Sequence, residues 1–154
     1  IRPHHLLCVA CFHAGRAEIE PIEEDNLFEV IDIVQKNPDI PIEMVPGCCM
    51  ICPPCTGYDP EQHLCIGGHG RALRDEMRDL DVLAKLGLEY GDKVPAAELF
   101  SRLFAAIPST RDICGYGDGI ERSREWSVCG SPEGEEKYAR GRAAGLGVKE
   151  IEVE

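Results

Sequence analysis

Nine cysteines are the residues of this 154-residue sequence whose chemistry is most informative. Five of them fall between residues 48 and 65, and Cys49, Cys52 and Cys55 form a C-x2-C-x2-C motif. Two intervening residues allow a tight turn that aims two thiolates at one centre, and cubane clusters are held by such a run plus a remote cysteine. The spacing therefore predicts a [4Fe–4S] cluster.

Zinc is the main alternative to a cluster. Bacterial ferredoxins complete the motif with a nearby fourth cysteine and a proline, which are absent here. Cys52 and Cys55, together with Cys65, His63 or His69, form a set of sulfur and nitrogen donors that suits tetrahedral zinc. A C-x2-C pair is also typical of thiol–disulfide chemistry, which stays open as a third interpretation.

The candidate site residues extend beyond the motif. The metal ligands that we predict from the sequence are Cys49, Cys52, Cys55, Cys65, Cys114 and Cys129. Residues that we expect to line a pocket or to surround the ligands are His4, His5, Cys8 and Trp126. A buried aromatic side chain keeps water from a cluster and tunes its potential.

Composition excludes several classes of protein. The net charge of −12 repels phosphate backbones and anionic membranes, so we expect no nucleic-acid partner and no membrane insertion. No apolar run approaches the roughly 18 residues that span a bilayer. An odd number of clustered cysteines without a visible export signal indicates a reducing compartment, and cytoplasmic is the expected location.

Apolar periodicity predicts a mainly α protein with at most a small β element. We expect helices over residues 3–15, 23–36, 71–86, 95–107 and 132–144, and one short strand over 40–45. The predicted inner face of the third helix consists of Leu73, Met77, Leu80 and Ala84. The expected architecture is a single compact helical domain, 1–154, with two long cysteine-rich loops around a metal centre.

Several short motifs resemble one bacterial and archaeal family of unknown function. The opening Arg2-Pro3-His4-His5-Leu6-Leu7-Cys8 is similar to the family's R-x-H-H-L-L-C. Further similarities follow in order over 51–55, 65, 81–88, 112–115, 126 and 129. Members of this family are suspected of binding iron–sulfur, which the resemblance implies for this chain.

The chain departs from the family pattern in ways that affect the ligand set. Gly117 stands where the family has a cysteine, whereas Cys11, Cys48 and Cys49 are additional. One hypothesis is that Cys49 substitutes for the cysteine missing at 117. Residues 130–154 resemble a C-terminal extension.

These residues are compatible with three functions. The first is a cluster-binding protein that transfers electrons or has a cluster-dependent accessory role, with a redox or cluster-dependent protein partner. The second is an enzyme whose incompletely ligated [4Fe–4S] cluster acts on a small substrate, such as one containing sulfur. The third is a zinc-stabilised interaction module.

Overall fold

The fold is mainly α, as the sequence predicts. The computed structural model describes residues 1–65, 71–114 and 131–153. The helices in these ranges are α1 (His5–His13), α2 (Leu27–Lys36), α3 (Arg71–Leu86), α4 (Ala96–Ala106), α5 (Arg111–Cys114) and α6 (Pro132–Ala143), and a short 3-10 helix spans Gly145–Gly147. None of the helices in the described ranges has the length and apolar character that a membrane span requires.

Two small antiparallel sheets complete the described structure. Strand β1 (Pro41–Glu43) pairs with β4 (Lys93–Pro95), and β2 (Tyr58–Asp59) pairs with β3 (Leu64–Cys65). The predicted strand over 40–45 is therefore shorter than expected. Its partner β4 was not predicted, because three residues ending in proline carry almost no strand signal.

Helix α1 is the centre of the core. It is apolar on nearly every side, and Leu6, Val9 and Ala10 are fully buried. Helix α6 packs directly on α1, since a Cβ atom placed on Gly141 would lie 2.0 Å from the carbonyl oxygen of Ala10. Only glycine permits this approach, so α6 holds α1 along its length.

The other core helices bury the faces that their periodicity predicts. Buried residues include Leu27, Ile31 and Val34 of α2, and Leu99, Phe100, Leu103 and Phe104 of α4. Helix α2 begins later than the predicted residue 23. The Asp25 carboxylate accepts the backbone N–H of Leu27, so this acidic residue stands just before the helix and satisfies its first turn.

The predicted inner face of α3 is wrong, although its bounds are confirmed. Leu73, Met77 and Leu80 are 68%, 58% and 55% exposed, and Ala84 is also exposed. The inward residues are Arg78, Asp79, Val82, Leu83 and Leu86. Charged Asp79 turns inward because it pairs with a buried arginine, and this ion pair overrides the apolar pattern of the helix.

Candidate metal centre

The cysteine loop is built from consecutive tight turns. The backbone N–H of Cys52 donates to the carbonyl oxygen of Cys49 (3.0 Å), that of Cys55 to Cys52 (2.8 Å), and that of Tyr58 to Cys55 (3.1 Å). Each bond closes a turn between residues three apart. The C-x2-C-x2-C spacing thus places a cysteine at the start of each successive turn.

Three ligand atoms converge where this loop meets the start of α1. The group comprises His5, Cys49 and Cys52, and its ligand atoms all lie within 4.8 Å of one another. His5 Nδ1 is 3.3 Å from Cys49 Sγ, and the backbone N–H of Cys49 donates to Cys52 Sγ at 3.3 Å. His5 and Cys52 are buried and Cys49 is half-buried, so the group is largely shielded from water.

The pKa values of the two sulfurs of the group shift in opposite directions. The hydrogen bond from Cys52 lowers the pKa of Cys49, and further hydrogen bonds from His5 and the Arg2 backbone lower it despite burial. The same hydrogen bond, together with burial and the Cys49 charge, raises the pKa of Cys52. Cys49 is therefore the sulfur that loses its proton more readily, and a bound cation would favour the thiolate form of both.

A buried ion-pair network supports the histidine end of the group. Asp79 of α3 accepts hydrogen bonds from Arg2 Nε (2.9 Å), from the backbone N–H of His4 (2.9 Å) and from His4 Nδ1 (2.6 Å). The ring of His4 meets that of His5 edge to face, with centroids 4.6 Å apart. Asp79 thereby fixes the ring of His4, which in turn packs against the ring of His5.

In this network the positive charge of Arg2 is paired with the negative charge of Asp79. Burial works to raise the pKa of Asp79, but the hydrogen bonds from His4 and the charge of Arg2 outweigh it and hold that pKa below its usual value. Burial lowers the pKa of His4. The consistent assignment is an Arg2–Asp79 ion pair beside a neutral His4 whose Nδ1–H donates to the carboxylate.

The remaining thiols of the loop lie outside the three-atom group. The backbone N–H of Gly57 donates to Cys55 Sγ at 3.4 Å, and Cys65 Sγ lies 3.8 Å from an oxygen of Asp75. Burial, followed by the charge of Asp75, raises the pKa of Cys65. Burial also raises the pKa of Cys48.

Three other cysteines lie on or beside helices of the core. Cys8 Sγ is 3.7 Å from the carbonyl oxygen of His4, and Cys11 Sγ is 3.8 Å from that of Gly134. Cys114 ends α5 and is buried in the apolar core. Two predicted site residues, Cys129 and Trp126, lie outside the described residues.

The three donor atoms could hold a metal ion. Tetrahedral geometry with bonds of about 2.3 Å to sulfur and about 2.0 Å to nitrogen places sulfur and nitrogen about 3.5 Å apart, and two sulfurs about 3.8 Å apart. The separation of His5 Nδ1 and Cys49 Sγ, 3.3 Å, is close to this requirement. Thiolates with imidazole suit zinc or iron rather than magnesium or calcium.

A family model described as protein of unknown function, DUF1284, matches residues 24–118. The chain belongs to the DUF1284 family. This confirms the resemblance to a cysteine-rich family of unknown function. Neither a curated protein nor a solved structure matches the chain. Cys49, Cys52 and Asp79 of this DUF1284 protein lie inside the matched segment, whereas His4 and His5 precede it.

The sequence prediction and the three-atom group of this DUF1284 protein overlap in part. Cys49 and Cys52 are predicted ligands and His5 is predicted only to lie near them, and the structure brings these three residues together. The sequence prediction missed Arg2 and Asp79. Their signal is weak, because α3 carries several acidic residues and the contact spans 77 positions of the chain.

Proposed function

We propose that this chain is a metalloprotein that binds its metal through His5 Nδ1, Cys49 Sγ and Cys52 Sγ. The observation that carries the proposal is the convergence of these three atoms within 4.8 Å. They come from two segments that are distant in sequence, so their meeting depends on the tertiary fold. The buried Asp79–His4 pair lies beside them and supports His5 indirectly, because the His4 ring packs against the His5 ring.

A single zinc or iron ion is the occupant that these distances favour. Three protein ligands leave one tetrahedral position for water or a substrate, as in catalytic zinc sites. A bound ion would supply Lewis acidity at that position. His5 and the two cysteines would hold it, and the Asp79–His4 pair would keep the start of α1 in place.

A [4Fe–4S] cluster is the second candidate, and the C-x2-C-x2-C motif favours it. Its ligands would be Cys52, Cys55 and Cys65, with one of Cys49, Cys114 or Cys129. Five cysteines fall within residues 48–65, so several thiols share this loop. A cluster would serve electron transfer or an accessory role with a redox protein partner.

A reducing compartment agrees with both candidates. The five cysteines of the loop over 48–65 are thiols that form no disulfide with one another, although several lie close together. Free thiols are the usual state in the cytoplasm and are the form that binds metals. We therefore propose a cytoplasmic location.

Anaerobic purification followed by metal and sulfide analysis tests the proposal. We expect about one zinc or iron per chain, no inorganic sulfide, and loss of the metal in Cys52→Ser. Cys55→Ser is the matched comparison, because Cys55 ends the same motif but stands outside the three-atom group.

The two variants also separate the two candidates. A single ion at His5, Cys49 and Cys52 survives Cys55→Ser, whereas a cubane cluster loses a ligand in both variants. Acid-labile sulfide at about four per chain, together with metal loss in Cys55→Ser, would establish the cluster instead. Wild-type protein without metal, also after anaerobic reconstitution, would contradict both.

A further inference from the structure

A cavity of about 440 Å³ opens beside the candidate metal centre. It lies between α2, β1 and the first turn of the cysteine loop. Residues that line it include Val30, Ile33, Val34, Ile42, Cys48 and Cys49. Cys49 therefore belongs both to the wall of this cavity and to the three-atom group.

The walls of the cavity select for an apolar molecule. Helix α2 and strand β1 contribute branched aliphatic side chains, and the volume is near the lower end of the range of roughly 300–1,000 Å³ that ligand pockets occupy. Glu43 places a carboxylate at the lining, and the whole chain carries a net charge of −12. An anionic ligand would be repelled, so the matching ligand is small, apolar and without negative charge.

The sulfur end of the cavity adds a second requirement. Cys48 and Cys49 both belong to its lining, and Cys49 is a ligand in the proposed centre. A metal held by two thiolates and one imidazole favours a further soft donor at its fourth position. A molecule that fills the cavity and reaches the metal would therefore carry sulfur.

We propose that this cavity binds a small apolar thiol whose sulfur occupies the fourth coordination position of the metal. This inference rests on the proposed function. On binding, the S–H bond of the ligand breaks and its electron pair forms the bond to the metal. The proton passes to solvent, and no atom changes its oxidation state.

Cobalt(II) substituted into the full chain tests the inference, because its visible absorption reports each change of ligand. The probes are cyclohexanethiol, its alcohol analogue cyclohexanol, and mercaptosuccinate as an anionic thiol. We expect cyclohexanethiol to shift the cobalt bands and, by calorimetry, to bind at least tenfold more tightly than mercaptosuccinate. Cyclohexanol should leave the cobalt bands unchanged.

Two matched variants separate the cavity from the metal. Ile33→Asp places a charge at the cavity lining, whereas Leu80→Asp places one on an exposed apolar position of α3 outside it. We expect Ile33→Asp to weaken cyclohexanethiol binding at least tenfold with unchanged cobalt affinity, and Leu80→Asp to change neither.

The outcomes distinguish failure of the cavity from failure of the centre. If the wild-type chain binds no cobalt(II) with thiolate-to-metal charge transfer, the proposed function fails and this inference with it. If cobalt binds normally but mercaptosuccinate binds as tightly as cyclohexanethiol, the centre stands and the cavity inference is overturned. Equal thiol affinities in Ile33→Asp and Leu80→Asp would overturn it as well.

Discussion

The helical core and the cysteine loop over 48–65 are stabilised in different ways. Leu6, Ile31 and Phe100 are fully buried among the core helices, whereas Met50 and Leu64 in the loop are 58% and 43% exposed. Burial of apolar surface is the main driving force for folding, so the core has a stability of its own. The loop instead consists of tight turns and two-residue strands and buries only Ile51 and Cys52, so we infer that a bound metal would contribute much of its stability.

The start of α1 connects the two regions. His5 belongs to the core helix, yet its Nδ1 lies 3.3 Å from the sulfur of Cys49 in the loop. Asp79 of α3 holds the preceding residue, His4, through two hydrogen bonds. Changes that disturb this connection should affect both regions, and changes elsewhere should affect only one.

Replacing Asp79 with Asn should have the largest effect, because it removes the partner of fully buried Arg2. Loss of one member of a buried ion pair costs about 4 kcal/mol of unfolding free energy. The metal affinity should also fall by about 10- to 100-fold, because His4, which packs against the ring of His5, loses its hydrogen bonds to Asp79. Urea unfolding and a competitive metal titration measure the two effects.

Asp32→Asn is the control for that variant. Asp32 pairs with Lys36 on the surface of α2, and loss of an exposed pair costs about 0.5 kcal/mol or less. If Asp79→Asn and Asp32→Asn had the same stability, the proposed connection would be contradicted.

The stability that Asp79 contributes should also depend on pH. Because the pKa of Asp79 is lowered in the folded protein, this contribution is present above the ordinary pKa of 3.8 and is lost as pH falls below that value.

Replacing Gly141 with Ala should disturb the core most directly. The added Cβ would stand 2.0 Å from the Ala10 carbonyl oxygen, so α6 must move away from α1. Overpacking of this kind costs about 3 kcal/mol. Thermal unfolding measures the loss, and Ala139→Ser on the exposed side of α6 is the control. Unchanged stability in Gly141→Ala would show that α6 does not brace α1.

Removing the metal with a chelator should affect the loop and spare the core. Ligand binding at a free concentration 100-fold above Kd stabilises the bound structure by about 2.7 kcal/mol, and this contribution should be lost locally. Hydrogen exchange should then accelerate at the amides of Cys52, Cys55 and Tyr58. Equal acceleration in α4 would show that metal organises the whole domain.

Replacing Tyr138 with Phe should have the smallest effect. Its hydroxyl donates to the Ile107 carbonyl oxygen at 2.6 Å in the core, and loss of such a bond costs about 1 kcal/mol. Tyr58→Phe removes a comparable bond to His63 on the exposed side of the loop and should cost less than about 0.5 kcal/mol. Chemical unfolding compares the two, and an equal cost would contradict the difference between the regions.

The sequence predicts the apolar packing of the core helices better than it predicts contacts between distant charged residues. Helix α4 is predictable because Leu99, Phe100 and Leu103 repeat at helical spacing and are all buried. The face of α3 is not, because the ion pair between Asp79 and Arg2 outweighs the apolar repeat. Ion pairs between distant segments leave no periodic trace in a sequence.

The candidate site is also predictable only in part. The motif predicts that Cys49 and Cys52 lie close together, because the spacing of a turn is a local property of the sequence. His5 comes from a segment 44 positions away from Cys49, and only the packing of α1 beside the loop brings them together. The supporting role of Asp79 depends on that same packing and was missed.

X-ray absorption at the metal edge reports the number and type of atoms that bind the metal. For anaerobically purified protein we expect two sulfur ligands at about 2.3 Å and one imidazole nitrogen at about 2.0 Å, with no neighbouring metal atom. His5→Ala should remove the imidazole signal. A spectrum with only sulfur ligands and metal–metal scattering, unchanged in His5→Ala, would contradict the proposed site.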